Sequence, residues 1–493
     1  MTDDASVHQF VRHWAAETPA APAISDASRT LSYAELDSLI DATKAWLHAL
    51  GLRAGERMLI IAENSVALAA VILATHRAGI TAVLENARRA DAETDAIHAH
   101  CAPRAVLCVL DHSPDAARHA ERLHAVAMFD APPGEIAVRM EPQPAPDDAD
   151  PDVAPAAIIY TTGTTGKPKG VMLAPGAFAF IARQMHELRF VTPRDRVYGV
   201  LPITHVMGLA SVLGGALASG AHLHLVPRFS VTECVARLVR GDITMLQGAP
   251  AMFAKIVDHC RAQGIARIDG VRFTGAGGAP IDPAVKREAE TLFGVPLHNG
   301  YGLTEAASAC WTRFEDDNDD DTVGRALPGV ELRIAATGDD AIGELWVRGP
   351  NVMNGYFRDA ERTAHVLDRD GWFNTQDLAR MTGDGRVHIV GRTRDIIIRS
   401  GFNVYPLEIE LALATHADVL HCAVLGRSVR GNEEIIAFVE LTQNARATPD
   451  ALHAWLATRL SPYKRPARII VMAALPVAAN GKVLKSSLVL PAV

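Results

Sequence analysis

Between the apolar runs 156–159 and 171–173 the chain reads YTTGTTGKPKG, residues 160–170. Two short apolar runs flanking a glycine-rich segment specify two strands joined by a turn. Thr161, Thr162, Thr164 and Thr165 supply hydroxyl donors, Gly163 and Gly166 let the backbone approach a ligand, and Lys167 and Lys169 add positive charge. This is the chemistry of a loop that holds phosphates. The P-loop pattern G-x-x-x-x-G-K-[ST] does not fit, because it needs Gly at 161 and Ser or Thr at 168, where Thr161 and Pro168 stand. A plain surface turn is the bland alternative, and the density of hydroxyls, glycines and lysines argues against it.

A chain of 493 residues is too long for one core, so two or more domains are expected. With 49% hydrophobic and 21% charged residues it has the composition of a soluble globular protein. The start, MTDDASVHQF, carries no basic stretch followed by an apolar run, and residues 66–84 are broken by His76 and Arg77, so a buried helix passing into a strand is expected there. The expected location is the cytoplasm. Six scattered cysteines form no C-x-x-C pair, which suggests neither a zinc site nor a disulfide framework. His98, His100 and Cys101 lie close together, but no second ligand cluster matches them.

A net charge of −9 argues against a nucleic-acid partner. The charge is uneven, however: after Asp450 there is no acidic residue, while Arg459, Lys464, Arg465, Arg468, Lys482 and Lys485 are cationic. This segment reads either as a basic solvated face or as one that meets a small polyanion such as ATP or coenzyme A. The chain has eight lysines against forty arginines, yet five of the eight fall in the loop and this terminal segment. A compact ammonium enters a crowded phosphate site where a planar guanidinium does not.

From residue 23 to 127 apolar strands such as RMLIIA and RAVLCVL alternate with helical stretches, and TLSYAEL carries a capping signal. Residues 131–155, rich in Pro, Asp and Ala, read as an exposed connection. The alternation resumes with VYGVLP, HLHLVP, ITMLQG and VRFTGAG, which implies a second α/β unit. EDDNDDD, residues 315–321, reads as a solvated loop rather than a metal site. Residues 330–390 read as short strands and turns, with a hairpin at LARM-TGDG-RVHIV, and PLEIELALATH as a helix opened by Pro406. The expected fold is α/β: a large N-terminal domain of two α/β subdomains plus a small β-rich one over 1–394, then a small mobile α+β C-terminal domain over 395–493.

The phosphate loop resembles the signature of the adenylate-forming superfamily, and further segments resemble that family's motifs in its order: LPITHVMG, GGAP, GYGLTE, DGWFNTQD, GRTRD, RSGFNVYPLEIE and LPVAANGKVLK. The resemblance implies an AMP-forming acyl-CoA synthetase that joins a carboxylic acid to ATP and passes the acyl group to coenzyme A. It implies Lys482, Glu305, Thr161 and His205 as catalytic, with Glu305 holding Mg²⁺. Gly278, Ala279, Pro280, Asn299, Gly300, Tyr301, Gly302, Thr304, Asp377 and Arg392 join the loop and Lys482 around ATP. His205, Met207, Gly208, Gly275, Ala276, Gly277 and Leu303 are implied at the acyl pocket. Asp395 matches the hinge, and Arg399, Ser400, Gly401 and Phe402 the segment beside coenzyme A.

The sequence departs from the family pattern at Gln376, where Gly is usual, at Arg394, where Lys is common, and at Ala174 and Pro175 after the loop. Two alternatives stay open: an adenylation enzyme loading a carrier-protein phosphopantetheine, and a silent nucleotide-binding homologue. No cation is recognisable in the implied acyl pocket, which weighs against dicarboxylic acids.

Overall fold

A computed structural model describes residues 6–142, 155–162, 168–314, 322–336, 342–399, 402–429, 432–443, 445–477 and 483–490. Its first sheet has eight strands built on Arg57–Ala62, where all six residues are buried. Thr81–Asn86 and Ala105–Val109 pair with it in parallel, and Ala157–Thr162 follows beside Thr81–Asn86. Val66–Ala78 is the helix that leads into Thr81–Asn86; its residues Val66 to Ala74 are almost wholly buried, which its unbroken apolar composition requires. No described helix is long and apolar enough to cross a membrane.

The expectation of an exposed connection over 131–155 is corrected in part. Ile136–Met140 forms a strand antiparallel to Ala105–Val109, with Ile136, Ala137 and Val138 buried. The apolar residues of IAVRM outweigh the surrounding Pro and Asp once a sheet edge is free to accept them.

The second sheet has nine strands. Its centre is parallel: Arg196–Gly199, Met245–Gly248, Phe273–Gly277 and Leu297–Tyr301 lie side by side in that order. Gln247, Gly275 and His298 share one register row, while Gly277 partners Gly300. Side chains alternate along a strand, so Phe273, Gly275 and Gly277 share one face while Ala276 joins the opposite core with Leu246 and Leu297.

A four-stranded antiparallel sheet follows, with Phe373–Met381 and Val387–Arg392 as the expected hairpin. The C-terminal segment has its own core, in which Ile397, Val404 and Ile409 pack with Val439 and Leu456. Its three-stranded sheet carries the helices Pro406–Ala414 and Pro449–Ala457. EDDNDDD lies outside the described residues.

The basic terminal segment is less free than its sequence suggests. Lys464 pairs with Glu408 at 2.6 Å and Lys485 with Glu410 at 2.7 Å, both carboxylates standing on Pro406–Ala414. Arg465 donates to the carbonyls of Leu460 and Ala457. The patch is therefore largely consumed inside its own domain.

Candidate active site

Thr161 and Thr162 end one strand, and Pro168 and Lys169 begin its antiparallel partner, with Thr161 facing Lys169 and Thr162 facing Pro168. The turn joining the two strands, residues 163–167, lies outside the described residues. Lys169 is half-buried and its ammonium stands 5.2 Å from the centre of the Tyr356 ring. Burial lowers the Lys169 pKa, the Glu305 carboxylate works against that, and Arg362 and Arg394 add to the lowering. Several cations thus converge beside the threonine-rich turn, as a polyphosphate site requires.

Tyr356 donates to Glu305 Oε1 at 3.0 Å. Burial, followed by the adjacent carboxylate, pushes the Tyr356 hydroxyl pKa up, so it remains a donor. The Met353 amide donates to the Glu305 carbonyl at 2.8 Å, and Asn351 donates to the carbonyls of Ala306 and Ser308. Tyr356 carried no signal in the sequence, because its strand Gly355–Tyr356 is only two residues long and pairs with residues 171 and 172 far upstream. Among the described residues no group of three acidic, histidine or cysteine side chains could hold a metal. A half-buried Glu305 whose Oε1 is fixed, and whose Oε2 has no partner among the described residues, fits Mg²⁺ held jointly with phosphate oxygens, the usual mode for this cation.

Asp377 is 4% exposed and accepts from the Tyr301 hydroxyl at 2.6 Å and from Arg392 Nε at 2.9 Å. Asp377 and Arg392 face each other across the hairpin, which explains why residues fifteen apart in sequence meet. Both carboxylate oxygens are oriented by charge-assisted or hydroxyl donors, an arrangement suited to receiving a diol. Gln376 has φ 59°, the left-handed region that glycine favours. Gln376→Gly is expected to stabilise the protein by roughly 0.5–1 kcal/mol, the relief of left-handed strain less the added chain entropy. A melting temperature that falls, or a changed KM for ATP, would contradict this.

Gly278 has φ 82° and open space where a Cβ would stand, so the turn it shares with Ala279 and Pro280 can admit a flat group. Asn299 is buried and spends its side-chain amide on the Thr322 carbonyl at 3.0 Å, which makes it a strut for the segment at Thr322. Gly300 and Gly302 are demanded by packing: a Cβ would stand 2.0 Å from the Trp311 ring and 1.9 Å from the Ala307 carbonyl oxygen. Thr304 and Glu305 share the single turn Thr304–Ala306, with half-buried Leu303 just before it.

His205 precedes the π-helical stretch Met207–Gly214, in a segment pinned by Asn64, which bonds the backbone of Gly199, Leu201 and Ile203. Such wide turns often accompany functional sites. The His205 ring reaches solvent yet is surrounded by protein, as on a cleft wall. Desolvation, then Arg89 and Arg88, lowers its pKa to about 4, so it is neutral at physiological pH. Gly208 is fixed by packing, since a Cβ would meet the Pro202 carbonyl oxygen at 2.1 Å, and a Cβ on Gly277 would meet Met207 Cε at 3.1 Å. Ala276 is corrected: strand alternation turns it to the opposite core, away from Gly275 and Gly277.

Arg394 lies 3.5 Å from Asp395 at the junction before the C-terminal core. Arg399 donates to the carbonyls of Tyr463 and Arg465, so it braces its own domain, and Phe402 pairs with it in the hairpin of Ile397–Arg399 and Phe402–Val404. Ser400, Gly401 and Lys482 lie outside the described residues. Val477 and Val483 pair with each other in an isolated antiparallel bridge. His98 pairs with Glu141 and His100 with the Tyr160 hydroxyl, so each has a structural partner.

Residues 11–357 match the AMP-binding enzyme family, and residues 408–482 match the AMP-binding enzyme C-terminal domain. The chain belongs to the AMP-binding enzyme family. This AMP-binding enzyme is 34% identical to an indoleacetate–CoA ligase of Aromatoleum aromaticum over 97% of its own length and 96% of the relative. It is 32% identical to a feruloyl-CoA synthase of an Amycolatopsis species over 95% of both chains. The structure of O-succinylbenzoate coenzyme A synthetase from Bacillus subtilis, in complex with ATP and magnesium, superposes with a TM-score of 0.82 at 26% identity, covering 97% of this chain and 98% of that one. The AMP-binding enzyme is an ATP-dependent, AMP-forming carboxylate–CoA ligase that uses ATP, Mg²⁺ and coenzyme A. Its architecture is that of a large N-terminal and a small C-terminal domain.

Proposed function

We propose that the enzyme activates a small or medium organic acid, aliphatic or aromatic, and that the residues gathered above perform both half-reactions. The observation that carries this reading is Asp377, whose buried carboxylate is held between Tyr301 and Arg392; Tyr301 lies four residues before Glu305, which accepts from Tyr356, the ring that Lys169 stands over. In the first half-reaction a carboxylate attacks the α-phosphate of ATP, bringing two anions together, so positive charge and alignment govern the rate. Asp377 receives the ribose hydroxyls and fixes the nucleotide. Lys169 and the threonine-rich turn hold the phosphates. Mg²⁺ at Glu305 would neutralise phosphate charge, and Tyr356 keeps that carboxylate in place. Lys482 reaches the attacking carboxylate and the α-phosphate; pyrophosphate leaves and the acyl-AMP anhydride remains.

The acyl group lies along the glycine-lined sheet face beside His205 and Met207. In the second half-reaction the C-terminal domain turns about Asp395 and presents residues 399–402, where Gly401 leaves room for a pantetheine arm. The thiolate attacks the acyl carbon, and AMP departs. A boundary at 394/395 is supported by the C-terminal core beginning at Ile397. The cytoplasm, where ATP and coenzyme A are both available, is the compartment this reading calls for.

The expected result is pyrophosphate release that depends on an organic acid, with a thioester detected by mass spectrometry only when coenzyme A is present. Acid-dependent release without thioester would move the acceptor to a carrier protein.

A further inference from the structure

Arg189, the last residue of the helix Pro175–Arg189, is 1% exposed, and its Nε, Nη1 and Nη2 all lack a hydrogen-bond partner among the described residues. Its guanidinium carbon lies 4.1 Å from the centre of the Trp311 ring and 5.4 Å from that of Phe273. Burial lowers its pKa, to about 9, which leaves it charged at neutral pH. No carboxylate among the described residues pairs with it. Stacking on an indole and the negative end of a helix offset part of the desolvation of a cation. Neither satisfies the five N–H donors of a guanidinium, and a buried charge left in this state is costly.

The surroundings point the same way. Among the described residues Trp311 Nε1 is a second buried donor without an acceptor, and Gln247 Oε1, in the register row of Gly275, is also unpartnered. Trp311 borders the proposed acyl path directly: a Cβ on Gly275 would meet its ring at 3.1 Å and one on Gly300 at 2.0 Å. Along this sheet face Met207 stands against Gly277, the rings of Phe273 and Trp311 close over Gly275, where a Cβ would meet them at 2.9 and 3.1 Å, and Arg189 lies against those two rings. Gly277 and Phe273 are four strand positions apart, a span of about 13 Å.

We propose that Arg189, with Trp311 Nε1 beside it, is the far end of the acyl pocket and binds a second anionic group on the acid substrate, a carboxylate or sulfonate distal to the one that is adenylated. This rests on the ligase reading above and narrows its substrate class. The sequence argued the other way because Arg189 belongs to no motif and lies more than eighty residues from the strand it meets.

The test compares linear diacids from succinate to suberate, and terephthalate, with monoacids in which a methyl group replaces the distal carboxylate. Wild type and Arg189→Met are each followed by pyrophosphate release and, separately, by the melting temperature with acid alone. Wild type is expected to favour its best diacid over the matched monoacid on the order of 100-fold in kcat/KM, the worth of a charge-assisted pair. Arg189→Met loses this preference, with the loss read in the KM for the diacid. The unliganded variant melts higher than wild type, since an unpaired buried charge is gone, and the diacid no longer stabilises it. A purely structural arginine would instead give a lower melting temperature and an unchanged acid ranking, which overturns the proposal. Acid-dependent release whose ranking ignores Arg189 refutes the subsite and leaves the ligase reading intact. Arg189-dependent stabilisation by a diacid with no release from any acid upholds the subsite and refutes the ligase reading.

Discussion

Lys482→Ala is expected to lower the rate of acyl-AMP formation by at least about 10³-fold, the scale seen when a group that stabilises developing charge is removed from a closed site. Thioester formation from supplied acyl-AMP is expected to stay within about tenfold of wild type, because no phosphoryl transfer remains in that step. Lys485→Ala is the matched control. Lys485 lies three residues on in the same basic segment, yet its ammonium is engaged with Glu410 at 2.7 Å, so both half-reactions should survive its loss. Pyrophosphate exchange and a thioester assay on purified acyl-AMP read the two steps separately. Equal loss of both in Lys482→Ala would refute a lysine delivered for the first step alone, and with it the rotation of the C-terminal domain between steps.

Asp377→Ala is expected to lower kcat/KM for ATP by roughly 10²–10³-fold, with most of the effect in KM. The substitution removes the acceptor offered to the nucleotide and strands two donors, the Tyr301 hydroxyl and Arg392 Nε, that now converge on its carboxylate. Asp377→Asn keeps the shape and one acceptor oxygen, so its loss is expected to be smaller. The KM for the organic acid should change little in either variant. Should the acid KM rise in step with that of ATP, Asp377 would be acting on the whole cleft rather than on the nucleotide. Arg392→Lys is informative alongside, since an ammonium cannot reproduce the fixed direction of Nε.

The elements that carry the proposed nucleotide site were legible in the chain because each of them is local. The threonine-rich turn is a contiguous stretch between two strands, and the strand ends at Thr161 and Lys169 place it where the apolar runs implied. The hairpin of 373–392 followed from its own turn residues, and it brings Asp377 against Arg392. The helix Val66–Ala78, the capping box of Ser32 with Glu35, and the start of Pro406–Ala414 likewise came from near-neighbour rules of periodicity and capping.

Long-range packing decided the rest. Tyr356, which fixes Glu305, lies on a two-residue strand whose partner is far away in sequence, so no local pattern marks it. Gly300, Gly302 and Gly208 could have lined a pocket or tightened a fold, and only the neighbours at 2.0, 1.9 and 2.1 Å show that packing requires them. The basic tail looked free until Glu408 and Glu410 were placed beside it. Arg189 was one of forty arginines, and its burial against Trp311 and Phe273 sets it apart. Chemistry carried by contiguous residues is written in the chain itself, because short-range geometry fixes it. Whether a charge is neutralised, stranded or aimed into a cavity depends on which distant segments share a space, and that is set only when the sheets and helices pack.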